Sequence, residues 1–185
     1  FARYLQELKY SIDFEVVCLG LLFIVAGLIK KIFFADYFAT FADTGFYIVA
    51  TGQSLGLLDS WISLLAFSFQ IYFDFSGYCD IAIGLGYLFN YRLPINFNSP
   101  YKAKNPSDFW RRWHITLSVF LKNHIFIPLG GSRDGQVKTL SNLMIVMLIG
   151  GLWHGANLTF VIWGLYHGVL LAVYSLSQNM TDKLS

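Results

Sequence analysis

The feature that most restricts how this chain can fold is one ionisable residue, His154, inside the apolar stretch Met147-Leu-Ile-Gly-Gly-Leu-Trp-His-Gly-Ala-Asn-Leu-Thr-Phe160. It lies between two hydrophobic segments. The last charged residue before it is Lys138, sixteen residues upstream. As helix that interval covers about 24 Å, against a bilayer core of about 30 Å. His154 is thus read at membrane depth, towards the side opposite Lys138. A helix running unbroken to Leu176 would be about 57 Å long, roughly twice the core, so the chain must turn near His154. Gly155 supplies backbone angles closed to other residues, and Asn157 can satisfy freed backbone groups or cap the next helix. Irregular backbone at that depth is stable only where protein buries it or where it lines a wet cavity. His154 is therefore predicted to face an internal cavity. A histidine hydrogen-bonded to a neighbouring helix for packing is the alternative, but an intramembrane ionisable residue is a functional candidate by default.

The rest of the composition agrees with this reading. Hydrophobic residues make up 56% of the chain and charged residues only 13%, with a mean hydropathy of +0.54. These values predict an all-α, polytopic membrane protein with lipid as its surroundings. The net charge of +2 says nothing about nucleic acid, because no basic run is interleaved with solvated sequence, and no nucleic-acid partner is expected. Cys18 and Cys79 lie in apolar surroundings without metal-ligand spacing, which reads as packing, and no metal site is expected. The chain opens at Phe1 with no recognisable signal peptide, so residues 1–185 are read as a single transmembrane domain, an internal piece of a longer protein. P-loop and zinc-protease motifs are absent.

Residues 1–13 read as an interfacial lead-in to a first span, Phe14 to Ile29, with Lys30 and Lys31 snorkelling. A loop rich in Gly, Ser and Thr, holding Asp43 and Asp59 but no Lys or Arg, is expected over about Thr40 to Ser60. The apolar run Trp61 to Phe89 contains Asp74 and Asp80, which cannot face lipid. Six residues apart they do not share a helix face, so a kink or break at Ser76-Gly77 is predicted, with both carboxylates pointing into protein. Pinning helices together by hydrogen bonds is favoured over a chemical role for them, so both are read as structural polar residues. Asn90 to Lys138 holds eight basic residues against two acids and is read as cytoplasmic, with the acidic loop outside.

Within that basic region a helix is predicted to start with Asn105 as N-cap, Pro106 at its first position and Asp108 answering the dipole. Laid out at 100° per residue, Arg111, His114, Ser118 and Lys122 form a narrow polar stripe beside Trp110, Trp113 and Leu117. Such a stripe suits a helix inserted beside a cavity, although an interfacial position would explain His114 equally well. A Pro/Gly-punctuated turn over Phe126 to Arg133 follows. The last apolar segment, Leu158 to Leu176, carries Trp163, Tyr166 and His167, read mainly as packing and interface residues.

Four of these stretches in this order resemble the membrane-bound O-acyltransferase (MBOAT) family. They are Ile71-Tyr-Phe-Asp-Phe-Ser-Gly-Tyr-Cys-Asp80, Phe109-Trp-Arg-Arg-Trp-His-Ile-Thr-Leu-Ser118, Ile127-Pro-Leu-Gly-Gly131 and Gly151-Leu-Trp-His-Gly-Ala-Asn157. The branch most similar is the bacterial alginate O-acetylation type, with relatives acting on peptidoglycan and teichoic acid. The resemblance implies a helical bundle around a central funnel or tunnel, with His154 at its constriction and His114 as a second implicated position. It also implies further helices before and after. Cys79 and Leu158 stand where Ser and Trp are more usual, away from the expected chemistry.

Acyl transfer from a thioester to a hydroxyl needs a base, stabilisation of an oxyanion and exclusion of water. The expectation is that His154 is the base and that His114 orients the donor or stabilises charge. Trp153 and Asn157 would shape the site, with Arg111, Ser118 and Lys122 in the substrate region. No tightly bound cofactor is expected. The donor would be acetyl-CoA or another acyl thioester, and the acceptor a hydroxyl of an exported polysaccharide or a partner protein, such as an extracytoplasmic acyltransferase. The location would be the bacterial cytoplasmic (inner) membrane. Two readings from other classes stay open: a proton-coupled transporter or channel, and a non-catalytic scaffold of a polysaccharide export complex.

Overall fold

The computed structural model describes residues 13–184, which are helical or in turns and loops throughout. The interfacial lead-in read over residues 1–13 lies, Asp13 apart, outside the described residues. The chain packs as two units, one ending at Ile95 and one beginning at Asn96.

In the first unit, α1 (Phe14–Ile29) has the bounds read from its apolar run, and Asp13 caps it by accepting from the Glu15 N–H at 3.0 Å. The helix does not end at the lysines. It passes through a π-helical turn, Lys30–Ala35, directly into α2 (Asp36–Ala50), and α3 (Leu57–Leu88) follows after a connection over residues 51–56. The loop expected from Thr40 to Ser60 is therefore confined to those six residues. Its hydroxyls do not compete with the helices because they bond back to the preceding turn. Thr40 Oγ1 donates to the Tyr37 carbonyl at 2.8 Å, Thr44 Oγ1 to the Thr40 carbonyl at 2.6 Å and Ser60 Oγ to the Gly56 carbonyl at 2.9 Å.

The break expected at Ser76-Gly77 is absent, and α3 runs through it. Gly77 serves close approach instead: a Cβ there would sit 2.8 Å from the Gly27 carbonyl oxygen, and one on Gly27 would sit 2.5 Å from that of Gly77. Seven residues away along each helix, Gly20 and Gly84 repeat the contact. Small residues at this spacing let two backbones touch where lipid supplies no hydrophobic drive. The same seam pairs the charges. Lys30 bonds Asp80, and Lys31 reaches both Asp36 and Asp74 at 2.8 Å. The snorkelling expected of the two lysines is thus replaced by ion pairs. Asp80 is mostly buried, whereas the Asp74 side chain is 54% exposed and turned to Lys31 rather than into the interior.

In the second unit a 3₁₀ turn (Pro100–Lys102) leads to α4 (Pro106–Trp110) and α5 (Ile115–Leu121), the latter running on as a π-helical turn (Lys122–Phe126). Asn105 caps α4 as expected, its Oδ1 accepting from the Asp108 N–H at 2.8 Å. The single helix read onward from there is broken between Trp110 and Ile115. Two long helices, α6 (Gln136–His154) and α7 (Leu158–Leu184), complete the unit and meet along a glycine seam. Asn142, 1% exposed, donates from Nδ2 to the carbonyls of Leu129 and Gly131 and so fastens the Pro/Gly turn to α6.

Among the described residues, three helical stretches are long and apolar enough to cross a membrane: Phe14–Ala50, Gln136–His154 and Leu158–Gln178. Helix α3 is not one of them, because Asp59, Asp74, Asp80 and several hydroxyls dilute its apolar sequence. Large apolar side chains such as Leu22, Phe33 and Val173 are more than half exposed. That distribution suits helices whose outer faces meet lipid or further helices.

Candidate active site

The chain turns at His154, as its depth required. Helix α6 ends on that residue, Gly155 follows at φ 157°, and Asn157 Oδ1 accepts from the Thr159 N–H at 3.0 Å and Thr159 Oγ1 at 3.1 Å. Gly155 and Asn157 are thus the turn and the cap of α7, and Asn157 is not among the residues lining the neighbouring cavity.

That cavity, about 260 Å³, lies within the second unit between the α4–α5 segment and the α6–α7 pair. Its polar lining comprises Ser107, Arg111, His114, Ser118, Lys122 and His154, and its remaining walls are mainly Leu, Met, Val, Trp and Phe. The four residues of the stripe read on one helix therefore do share one cavity. They reach it from a broken segment: Arg111 precedes His114, which takes the left-handed conformation (φ 43°, ψ 56°), and Ser118 and Lys122 follow. Ser118 Oγ bridges the break by donating to the Trp113 carbonyl at 3.3 Å. Left-handed backbone at a non-glycine residue costs about 1–2 kcal/mol and needs support from its surroundings.

The support comes from Asn96, a residue that sequence reading missed. Its backbone carbonyl accepts from the Ile115 N–H at 3.0 Å, and its Oδ1 accepts from the Thr116 N–H at 3.2 Å and Thr116 Oγ1 at 2.6 Å. These are the first free donors of α5, so Asn96 caps that helix from nineteen residues before its first residue. The same Oδ1 lies 3.2 Å from His114 Nδ1. Nothing local in the sequence signals such a cap.

An aromatic file joins the two histidines. The Trp153 ring centroid is 6.1 Å from His114 and 5.1 Å from His154, and Trp163 is 5.2 Å from His154 on its other side. Trp153 touches both imidazoles but is 62% exposed. Trp110 and Trp163 line the cavity, and His167 packs behind them, within 5.2 Å of each ring centroid. Burial, reinforced by the nearby His154, holds the His114 imidazole below its ordinary pKa of 6.5. Asp108 is held below its usual carboxylate range by the Arg112 guanidinium, which donates to it at 3.0 Å, and by the Lys104 N–H. No carboxylate lines the cavity, and no three His, Cys, Asp or Glu side chains converge on a metal position among the described residues.

Residues 2–185 match the MBOAT, membrane-bound O-acyltransferase family. Over 172 residues, 93% of this chain and 32% of the relative, the sequence is 54% identical to a peptidoglycan O-acetyltransferase of Helicobacter pylori. It is 48% identical to a probable alginate O-acetylase, AlgI, of Pseudomonas aeruginosa over 147 residues, 80% of this chain and 28% of that protein. It is also 33% identical to a teichoic acid D-alanyltransferase of Bacillus subtilis over 135 residues, 69% and 34% of the two chains. The chain spans about a third of the length of these curated relatives.

Proposed function

Because the chain belongs to the membrane-bound O-acyltransferase family, we propose that it carries the catalytic histidines of a multi-pass membrane enzyme that moves an acetyl or similar acyl group from a thioester to a hydroxyl. The observation that carries this is the convergence of His114 and His154, from separate elements, on one cavity beside Arg111 and Lys122. An imidazole is the side chain best matched to general-base work near neutral pH. His154 takes the acceptor's hydroxyl proton as the oxygen attacks the thioester carbonyl. The oxyanion then collapses, the C–S bond breaks, and the thiol leaves with the proton that His154 returns.

Arg111 and Lys122 give the cavity a positive rim that attracts an anionic donor such as acetyl-CoA. Apolar walls of Leu117, Leu121, Val146 and Met147 keep water from the acyl group. Trp153 fixes the spacing of the two imidazoles. The acceptor is a hydroxyl of an exported polysaccharide or of a partner protein that passes the acyl group on, and the enzyme resides in the bacterial cytoplasmic membrane. The printed names of the relatives, which concern peptidoglycan, alginate and teichoic acid, support this substrate class.

The test is His154→Gln in the full-length protein with labelled acetyl-CoA. A general base contributes about 10²- to 10⁴-fold, so transfer should fall by at least about 10² at unchanged membrane abundance. Activity within a few-fold of the parent removes His154 from the chemistry. Activity that falls only in step with abundance assigns it to packing.

A further inference from the structure

Three donors converge on one oxygen: the Thr116 N–H, the Thr116 hydroxyl and His114 Nδ1 all lie within 3.2 Å of Asn96 Oδ1. The backbone N–H of Thr116 can only donate, so the atom facing it is the amide oxygen and not the NH₂ group. An oxygen without a hydrogen can meet Nδ1 favourably only if Nδ1 carries the proton. A neutral imidazole has one N–H, so its lone pair then lies on Nε2.

We propose that Asn96 is a positioning residue that holds His114 in the Nδ1–H tautomer, so that the imidazole enters the reaction as a hydrogen-bond acceptor through Nε2. The second clause rests on the acyl-transfer reading; the first does not. The assignment changes what His114 can do. A neutral ring of this tautomer has no N–H at Nε2 to offer an oxyanion. It can receive a hydrogen bond from an acceptor hydroxyl or from the other imidazole. It can stabilise negative charge through Nε2 only after taking up a proton.

The surroundings of His114 oppose that uptake. The titratable and charged side chains that share its cavity are His154 at the end of α6, Arg111 before it and Lys122 after α5, and none is acidic. From the preceding segment, the Asn96 side chain meets the ring through Oδ1. It supplies orientation without charge. An aspartate would supply orientation with charge, and the difference between the two is measurable.

The experiment is ¹⁵N NMR of the full-length protein, labelled at histidine and reconstituted in lipid, with the His114 signals assigned by their loss in His114→Gln. Above the pH at which His114 titrates, Nδ1 should resonate as a protonated nitrogen and Nε2 as a bare one. Asn96→Ala should lose that preference and reduce kcat/KM by about 10²-fold or more, as misassigned tautomers do elsewhere. Asn96→Asp retains an acceptor for all three donors and should keep the Nδ1–H tautomer. Its charge should raise the acid limb of the pH–kcat/KM profile by about one unit. A bare Nδ1 in the parent protein, or an Asn96→Asp profile with an unmoved acid limb, overturns the proposal. An Nδ1–H signal together with full turnover in His114→Gln overturns the catalytic clause alone and leaves the tautomer assignment standing.

Discussion

The seam between α6 and α7 sets where His154 sits, and its tolerance to one added methyl group is calculable. A Cβ on Gly164 would lie 2.5 Å from the Met147 carbonyl oxygen, 3.2 Å from the Met147 carbonyl carbon and 3.3 Å from Leu148 Cα. All three are backbone atoms, so no side chain can swing away. Real Cβ atoms stay beyond 3.0 Å and ordinary contact begins near 3.4 Å, which requires the helices to part by about 0.5–0.9 Å. Overpacking of this kind costs about 1–3 kcal/mol. It also displaces Met147, a cavity wall residue one seven-residue interval before His154. Because misplacement by about 1 Å can cost 10²-fold, turnover by Gly164→Ala should fall about tenfold or more.

Gly168 provides the control on the same helix. Its added Cβ would meet Met144 Sδ at 2.8 Å and Cε at 3.3 Å, the movable end of a flexible side chain, with backbone no nearer than 3.5 Å. Gly168→Ala should therefore cost less than half as much, and Val173→Leu, on an outward position 58% exposed, almost nothing. The readouts are the thermal unfolding midpoint in detergent and the acyl-transfer rate of the same preparations. Equal losses at Gly164 and Gly168, or rescue of Gly164→Ala by trimming Met147 to Ala, would refute the backbone-contact argument.

Three other outcomes are expected. Asp80→Asn should destabilise by about 1–3 kcal/mol and Asp74→Asn by less than about 1, because the Lys30–Asp80 side chains are 30% and 19% exposed against 47% and 54% for Lys31–Asp74; denaturation midpoints in detergent compare them. In a background without other cysteines, Ser54→Cys should label with an impermeant reagent in intact cells and Ser132→Cys should not, and the reverse inverts the topology drawn from the basic Asn90 to Lys138 region. His114 lies outside the three candidate spans, and burial lowers its pKa, so the folded protein binds fewer protons than the unfolded chain just below pH 6.5. Stability from this group is thus fully present above pH 6.5 and falls as the pH drops through it. His114→Gln should flatten that slope in a pH series of unfolding midpoints.

The parts of the fold that sequence reading located are those governed by neighbours in the chain. The Asn105–Pro106 helix start, the bounds of α1 and the turn after His154 each follow from residues within a few positions of the event. Hydroxyl- and glycine-rich composition misled elsewhere. In water Thr40, Thr44 and Ser60 argue for a loop. Each bonds to a carbonyl of the preceding turn instead, which keeps the helix intact. Gly77 reads as a break but is a contact with Gly27 fifty residues away, a distance at which local periodicity carries no information. The charge pair Lys30–Asp80 was hidden for the same reason.

The polar stripe through Arg111, His114, Ser118 and Lys122, read on one helix, lines a cavity from a broken segment instead. An unbroken helix and the observed broken segment share the sequence order and much of the sidedness, so the pattern survives the error. The break nevertheless decides the chemistry. Were residues 105–122 one helix, the N–H groups of Ile115 and Thr116 would bond within it. Broken at His114, the segment leaves both donors open, and the Asn96 carbonyl and Oδ1 accept them. Oδ1 is held there by two Thr116 donors whether or not His114 carries a proton. The strained backbone at His114 is therefore what exposes the donors that fix Asn96, and Asn96 in turn gives Nδ1 its only consistent protonation in the neutral ring.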